Sequence, residues 1–148
     1  MKTIHWGMIG AGDVTEKKSG PAFRKAGHSD LVAIMRRNAD KAKAYAKRHG
    51  VAKWYSDAEK LIKDPEVEAI YVATPPYMHA RYAIWALTEG KPVYVEKPMA
   101  MNYSECKDIL FASEHSGVPA FVAHYRRALP YFQKIKELLD QQVLGDLR

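Results

Sequence analysis

The sequence predicts an α/β protein built on a doubly wound parallel sheet, and three observations lead there. Short apolar runs rich in Val, Ile and Tyr alternate with helix-like segments along the chain. The runs are continuously apolar rather than alternating, as in strands covered on both faces. Most helical segments are followed by a glycine or a proline that stops them.

The first run, Ile4–Ile9, reads as a strand, and Gly10-Ala11-Gly12 turns it into a helix over 13–26. Leu31–Met35 predicts the second strand. The helix over 39–49 then buries a stripe of Ala39, Ala42 and Ala46 and leaves Lys41, Lys43, Lys47 and Arg48 in solvent. Ser56 and Glu59 read as a capping box that opens a short helix over 57–63. Ala69–Ala73 is the next strand, with a helix over 78–89 behind it. Val93–Val95 and Ala120–Ala123 flank a helix over 103–116, which Asn102 and Glu105 open. Gly27, Gly50, Gly90 and Gly117 stand just past helices, where a left-handed residue is needed, and Pro92 and Pro119 prevent continuation. Cys106 falls on the buried side of its helix with Ile109 and Leu110. Arg126 to Gln142 predicts a last amphipathic helix with a stripe of Phe132, Ile135, Leu138 and Leu139. Gly145 ends it, and Asp146-Leu147-Arg148 begins either a strand of a further domain or a frayed tail. Repeated strand–helix–strand order implies right-handed crossovers.

With 148 residues, 47% apolar and 27% charged, the chain suffices for one domain with a full core. No apolar run approaches the ~18 residues of a membrane helix. The N-terminus leads directly into strand-like sequence, so no signal peptide is expected and the cytoplasm is the natural compartment. The single cysteine, Cys106, excludes an internal disulfide and a cysteine-rich metal cluster, and no metal site is expected. A net charge of +6 suits solvated helix faces or an anionic small molecule. The chain lacks the aromatic–basic platform or recognition helix of a nucleic-acid binder.

Chemistry concentrates where strands end. In Gly10-Ala11-Gly12-Asp13-Val14-Thr15 the first glycine permits a tight turn and the second lets a pyrophosphate approach the backbone. The phosphates then meet free amides at a helix N-terminus. Thr15 occupies the third glycine position, so this Rossmann-type fingerprint is imperfect. After the second strand come Arg36 and Arg37, where an NAD site usually has an acid for the ribose hydroxyls. A guanidinium there favours a 2′-phosphate and so NADP, with NAD still usable, unless Arg36 is merely a solvated loop residue. The missing acid also counts against S-adenosylmethionine.

Thr74-Pro75-Pro76 makes a rigid exit from the fourth run, with a hydroxyl at Thr74. His79 either caps and packs locally or lines the cofactor cleft. Glu96-Lys97-Pro98 ends the next run at the same edge. Lys97 is placed to hydrogen-bond a substrate oxygen or to exchange its proton, with Glu96 balancing it or binding the ribose. The alternative is a surface Glu–Lys pair before a proline. His124, Tyr125, Arg126 and Arg127 follow the last run, and either contact nicotinamide or an anionic substrate or lie exposed at a helix start.

Taken in order, Gly10-Ala11-Gly12-Asp13-Val14-Thr15, Ala73-Thr74-Pro75-Pro76 with His79, Glu96-Lys97-Pro98, Tyr125 to Pro130 and Leu144 to Arg148 resemble the Gfo/Idh/MocA oxidoreductases. The resemblance implies a Rossmann domain over residues 1–124 that binds NADP or NAD. Residues 125–148 would be the connecting helix and the start of a second α/β domain. In this family that domain supplies the substrate pocket, the oligomer interface and further catalytic residues, which leaves a homo-oligomer open for the whole protein. By the same resemblance Lys97 is the catalytic lysine near the nicotinamide. Glu96, the Thr74–His79 segment and Tyr125 line the cofactor. The implied substrates are sugars, inositols and related polyols or ketoses. Family members exceed 300 residues, so this chain is either a piece of a longer protein or the product of a gene for the nucleotide half alone. On either account it is expected to bind NADP(H) with little turnover. A regulatory domain that senses nucleotide without chemistry is the alternative, against which Lys97 argues.

Overall fold

The computed structural model describes residues 2–143 and 145–146. Six parallel strands form one sheet in the order β3-β2-β1-β4-β5-β6. In chain order they are β1 (Ile4–Ile9), β2 (Ser29–Met35), β3 (Lys53–Tyr55), β4 (Ala69–Val72), β5 (Val93–Val95) and β6 (Ala120–Val122). The helices are α1 (Gly20–Lys25), α2 (Ala39–His49), α3 (Ala58–Ile62), α4 (His79–Thr88), α5 (Tyr103–Ser116) and α6 (Pro130–Asp140). The doubly wound α/β class read from the sequence is the one observed, and β3 is an addition to it.

The two faces have separate cores. On one, Met8, Leu31, Ile34 and Tyr71 pack beneath Ala42, Tyr45 and Ala46 of α2. On the other, Ile9, Ile70, Val72, Val93 and Val95 meet Leu61 of α3, Ala83 and Leu87 of α4 and Ile109 of α5. All four residues of β4 are buried, as a central parallel strand requires. The edge strand β6 leaves Phe121 56% exposed.

Local chemistry corrects several expected boundaries. The first helix is not uniform: Thr15–Ser19 forms a π-helical turn before α1 continues it. The cap of α3 is Asp57, which accepts from the Glu59 amide at 2.9 Å, not Ser56. After α1 the left-handed residue is His28 (φ 61°) rather than Gly27, whereas Gly50, Gly90 and Gly117 do adopt positive φ. Ala39 is exposed, and Tyr45 completes the α2 stripe instead. The α5 start is as read, with Asn102 Oδ1 accepting from the Glu105 amide at 3.0 Å. Leu110 is exposed on that helix, and Cys106 is half-buried. A 3-10 turn over Tyr125–Ala128 precedes α6, whose Phe132 and Ile135 are exposed and whose Leu138 and Leu139 are half-buried. Its apolar stripe therefore exists but is not covered. Of Asp146-Leu147-Arg148, expected to begin either a strand of a further domain or a frayed tail, Leu147 and Arg148 lie outside the described residues, as does Leu144.

Asp64 fastens the end of the sheet away from the glycine turn. Its carboxylate accepts from Lys53 Nζ at 2.9 and 3.0 Å, from the Tyr55 hydroxyl at 2.8 Å and from the Glu66 amide at 3.0 Å. Burial alone would push the Asp64 carboxyl up, but Lys53, the Glu66 amide and Tyr55 outweigh it and hold the group below its ordinary value. Glu16, held low chiefly by Arg48, and Glu68, held low chiefly by Lys2, act in the same direction. A carboxyl held low when folded stabilises the fold above its unfolded value and loses that contribution as pH falls through the folded one. Urea unfolding is therefore expected to show stability falling below about pH 4. Asp64→Asn should cost about 1–3 kcal/mol at neutral pH and flatten the acid dependence.

Candidate nucleotide and active site

The residues leaving the strands are tied across the carboxyl edge in one row. The Arg36 amide donates to Tyr55 O at 3.1 Å, and the Gly10 amide to Met35 O at 3.0 Å. The Ala73 amide donates to Ile9 O at 2.8 Å, Glu96 to Val72 O at 2.9 Å and Ala123 to Val95 O at 2.8 Å. Arg36, Gly10, Thr74, Lys97 and His124 thus follow neighbouring strands at one edge. The strand order reverses between β1 and β4, which places the topological switch point at the Gly10 turn. Three strand spacings separate the exits of β2 and β5, about 14 Å.

A cleft of about 270 Å³ opens there. Among the expected cofactor residues, Gly10, Gly12, Arg36, Arg37, Thr74 and Pro75 line it. Gly10 has φ +101°, and a Cβ on it would stand 2.7 Å from the Ala73 carbonyl carbon and the Thr74 amide. The turn and the β4 exit thus meet backbone to backbone. Gly12 is different: its nearest neighbour would be Gly10 O at 3.8 Å, so neither φ nor packing within this chain calls for glycine there. Asp13 and Val14 begin the helix exposed, and Thr15 and Glu16 both donate their amides to Gly12 O. The Asp13 and Val14 amides, as the first of the helix, have no intrahelical acceptor. Thr15 is buried, with its hydroxyl donating to Gly12 O at 2.7 Å and its carbonyl accepting from the Tyr45 hydroxyl at 3.0 Å. It braces the turn from within.

One end of the cleft is cationic. Arg36 is half-buried and Arg37 exposed, and neither has an acidic partner among the described residues. Lys41 joins them because Asn38, which caps α2 by accepting from the Lys41 amide at 2.9 Å, starts the helix beside Arg37. Lys41 thus faces the cleft, where its helix pattern alone suggests only a solvated face. The spacing from Arg36 through an Asn cap was the signal available. Tyr77, 57% exposed on the 3-10 turn Pro76–Met78, also lines the cleft and was not singled out.

At the β4 and β5 exits the charged groups are held by the chain itself. The Thr74 hydroxyl is buried yet has no partner among the described residues. His79 is buried, with both ring nitrogens against backbone carbonyls, so its ring supports the cleft wall instead of facing the cleft. Glu96 accepts from the Tyr71 hydroxyl at 2.7 Å and from the Lys97 amide at 3.1 Å. Burial first, and then the Glu96 carboxylate, push the Tyr71 phenol well above its usual value, so it stays a donor at neutral pH. Lys97 is exposed beyond this clamp, before a cis peptide bond to Pro98. Tyr125 is 58% exposed on its own turn. Arg126 and Arg127 line a separate surface groove with Lys136 and Asp140 of α6. None of these three lines the glycine cleft. No group of three or more His, Cys, Asp or Glu suited to a metal occurs among the described residues.

These features fit a dinucleotide: a glycine the fold does not need, helix amides without acceptors, an unpartnered Thr74 hydroxyl and unpaired arginines. Comparison with known proteins agrees. An oxidoreductase family with an NAD-binding Rossmann fold matches residues 4–124. The chain is 53% identical over 97% of its length to oxidoreductase P35 of Formosa agariphila, covering 45% of that protein. It is 33% identical over 98% of its length to bovine trans-1,2-dihydrobenzene-1,2-diol dehydrogenase, covering 44% of it. A crystallised 3-ketoreductase from Actinomadura kijaniata, in complex with NADP and TDP-benzene, superposes with a TM-score of 0.91 at 26% identity. That superposition covers 99% of this chain and 46% of the reductase. The chain thus spans somewhat less than half the length of these relatives. On fold, site and sequence together, it belongs to the Gfo/Idh/MocA oxidoreductase family and carries that family's NAD-binding Rossmann domain.

Proposed function

We propose that this chain is the cofactor-binding part of an NADP(H)-preferring oxidoreductase acting on a sugar, inositol or related polyol or ketose. One observation carries the reading: the carboxyl edge has three cations at the β2 end, a glycine turn at the switch point and Lys97 at the β5 exit. Arg36, Arg37 and Lys41 would hold the 2′-phosphate, and Gly10, Gly12 and the Asp13 and Val14 amides the pyrophosphate. Thr74 would take the hydrogen bond its hydroxyl lacks. The bound nicotinamide supplies hydride transfer. Lys97 gives a proton to the forming alkoxide on reduction, or receives one on oxidation. Glu96, held by Tyr71, fixes the Lys97 backbone by accepting from its amide. The groups facing Lys97 across the substrate belong to the part of the relatives that this chain does not span, so turnover by the chain alone is expected to be negligible.

The test separates the two ends. With lysines dimethylated by 13C, NADPH is expected to shift the Lys97 signal, while adenosine 2′,5′-bisphosphate shifts the Lys41 signal and leaves Lys97 in place. A Lys97 signal unmoved by NADPH that nonetheless binds would contradict its role.

A further inference from the structure

Beyond its cations and its glycine turn, much of the cleft lining is apolar: Met35, Pro75, Tyr77, Met78 and Tyr82. Met35 and Tyr82 are buried at 4% and 7% exposure and form its wall, and Met78 is half-buried. Tyr77 differs, being an aromatic ring left 57% exposed at the cleft. Nothing in the fold asks for a ring there. Among the described residues Tyr77 belongs to neither core and to no aromatic pair. Its backbone is nonetheless fixed. Pro75 and Pro76 set their own φ, the Met78 amide donates to Pro75 O at 3.0 Å, and α4 starts directly afterwards at the buried His79. A tyrosine ring on a fixed turn offers a flat contact face at low entropic cost.

We propose that Tyr77 is the residue on which the adenine of the dinucleotide stacks. The proposal rests on the cofactor reading given above, which puts the 2′-phosphate at Arg36, Arg37 and Lys41 and the pyrophosphate at the glycine turn. Both groups hang on one ribose, and the base is joined to the carbon next to the one that carries the 2′-phosphate. The adenine therefore lies in the same cleft, between the β2 exit and the turn after β4. Those exits are two strand spacings apart, about 10 Å. A purine in van der Waals contact on both faces takes about 7–8 Å of that. Every base has a π-face, and stacking on an aromatic side chain is a large part of how proteins hold one. The contact uses the ring face of Tyr77 and does not need its hydroxyl.

Adenosine 2′,5′-bisphosphate, which carries the base and no nicotinamide, tests this by NMR of the tyrosine-labelled chain. The Tyr77 ring protons are expected to shift upfield as the bisphosphate saturates, whereas nicotinamide mononucleotide leaves them in place. Ring protons that ignore the bound bisphosphate, or that answer only to the mononucleotide, overturn the proposal. Tyr77→Ala should weaken binding of the bisphosphate and of NADPH about tenfold or more, and Tyr77→Phe by less than about twofold. Because Tyr77 is exposed and outside both cores, both variants are expected to fold. Failure of the unaltered chain to bind either nucleotide would refute the cofactor reading and the stacking with it. Binding that Tyr77→Ala leaves as tight as before refutes the stacking alone.

Discussion

Gly12→Ala is expected to leave the fold intact and to weaken NADPH binding more than about tenfold, a loss of ~1.4 kcal/mol or more. The added Cβ meets nothing closer than Gly10 O at 3.8 Å, so folding has no reason to object. At a backbone conformation alanine tolerates, the change should even add about 0.4–1 kcal/mol of stability by stiffening the unfolded chain. The same methyl projects into the open space where phosphate oxygens would approach the turn. Gly10→Ala is the contrasting case. There the φ of +101° strains any L residue, and the Cβ would sit 2.7 Å from the backbone of Ala73 and Thr74. Strain and overpacking together should cost about 3 kcal/mol, or roughly 10 °C in melting temperature. Thermal unfolding with NADPH titration of both variants checks the pair. A Gly12→Ala chain that binds as well as the parent would remove the phosphate site from this turn.

Arg36→Asp should erase cofactor preference. Charge-assisted hydrogen bonds are worth about 1.5–3 kcal/mol each, and the new carboxylate repels the 2′-phosphate. NADPH affinity should therefore fall by about a hundredfold, while NADH, whose ribose hydroxyls can donate to the aspartate, should bind at least as well as before. Because Arg36 pairs with no acid among the described residues, its replacement leaves no charge orphaned, and stability should change by less than about 0.5 kcal/mol. Calorimetric titration of the variant with each cofactor reads all of this. An undiminished NADPH affinity would return Arg36 to the status of a solvated loop residue.

Much of this was legible in the chain because the signals were local. A continuous apolar run, a glycine after a helix and an Asn–Glu cap each act within a few residues, and β1, β4, β5, α2 and α5 follow from them. What escaped depended on contacts remote in sequence. The three residues of β3 are a strand because Lys53, Trp54 and Tyr55 pair with Ala33, Ile34 and Met35. Nothing in that tripeptide alternates for long enough to declare it. Ser56 and Asp57 are equally good caps on paper, and the path of the chain leaving β3 decides between them. His28 takes a left-handed conformation that Gly27 was better suited to take, for which the structure offers no evident cause. The stripe of α6 was read correctly as amphipathic, but amphipathicity does not say whether a covering partner is present. The same division holds in the site. The glycine turn, Arg36 and Lys97 announce themselves by residue type and place. The bond between Tyr71 and Glu96 and the two carbonyls around His79 arise only when neighbouring strand exits are brought side by side.

The central claim is that the carboxyl edge of this sheet holds a dinucleotide with its phosphorylated ribose at Arg36. Calorimetric titration of the unmodified chain with NADPH and with NADH tests it most directly. The account predicts one site that binds both, with NADPH tighter by about tenfold or more. Equal affinities would contradict the assignment of the arginines, and binding of neither would contradict the site itself.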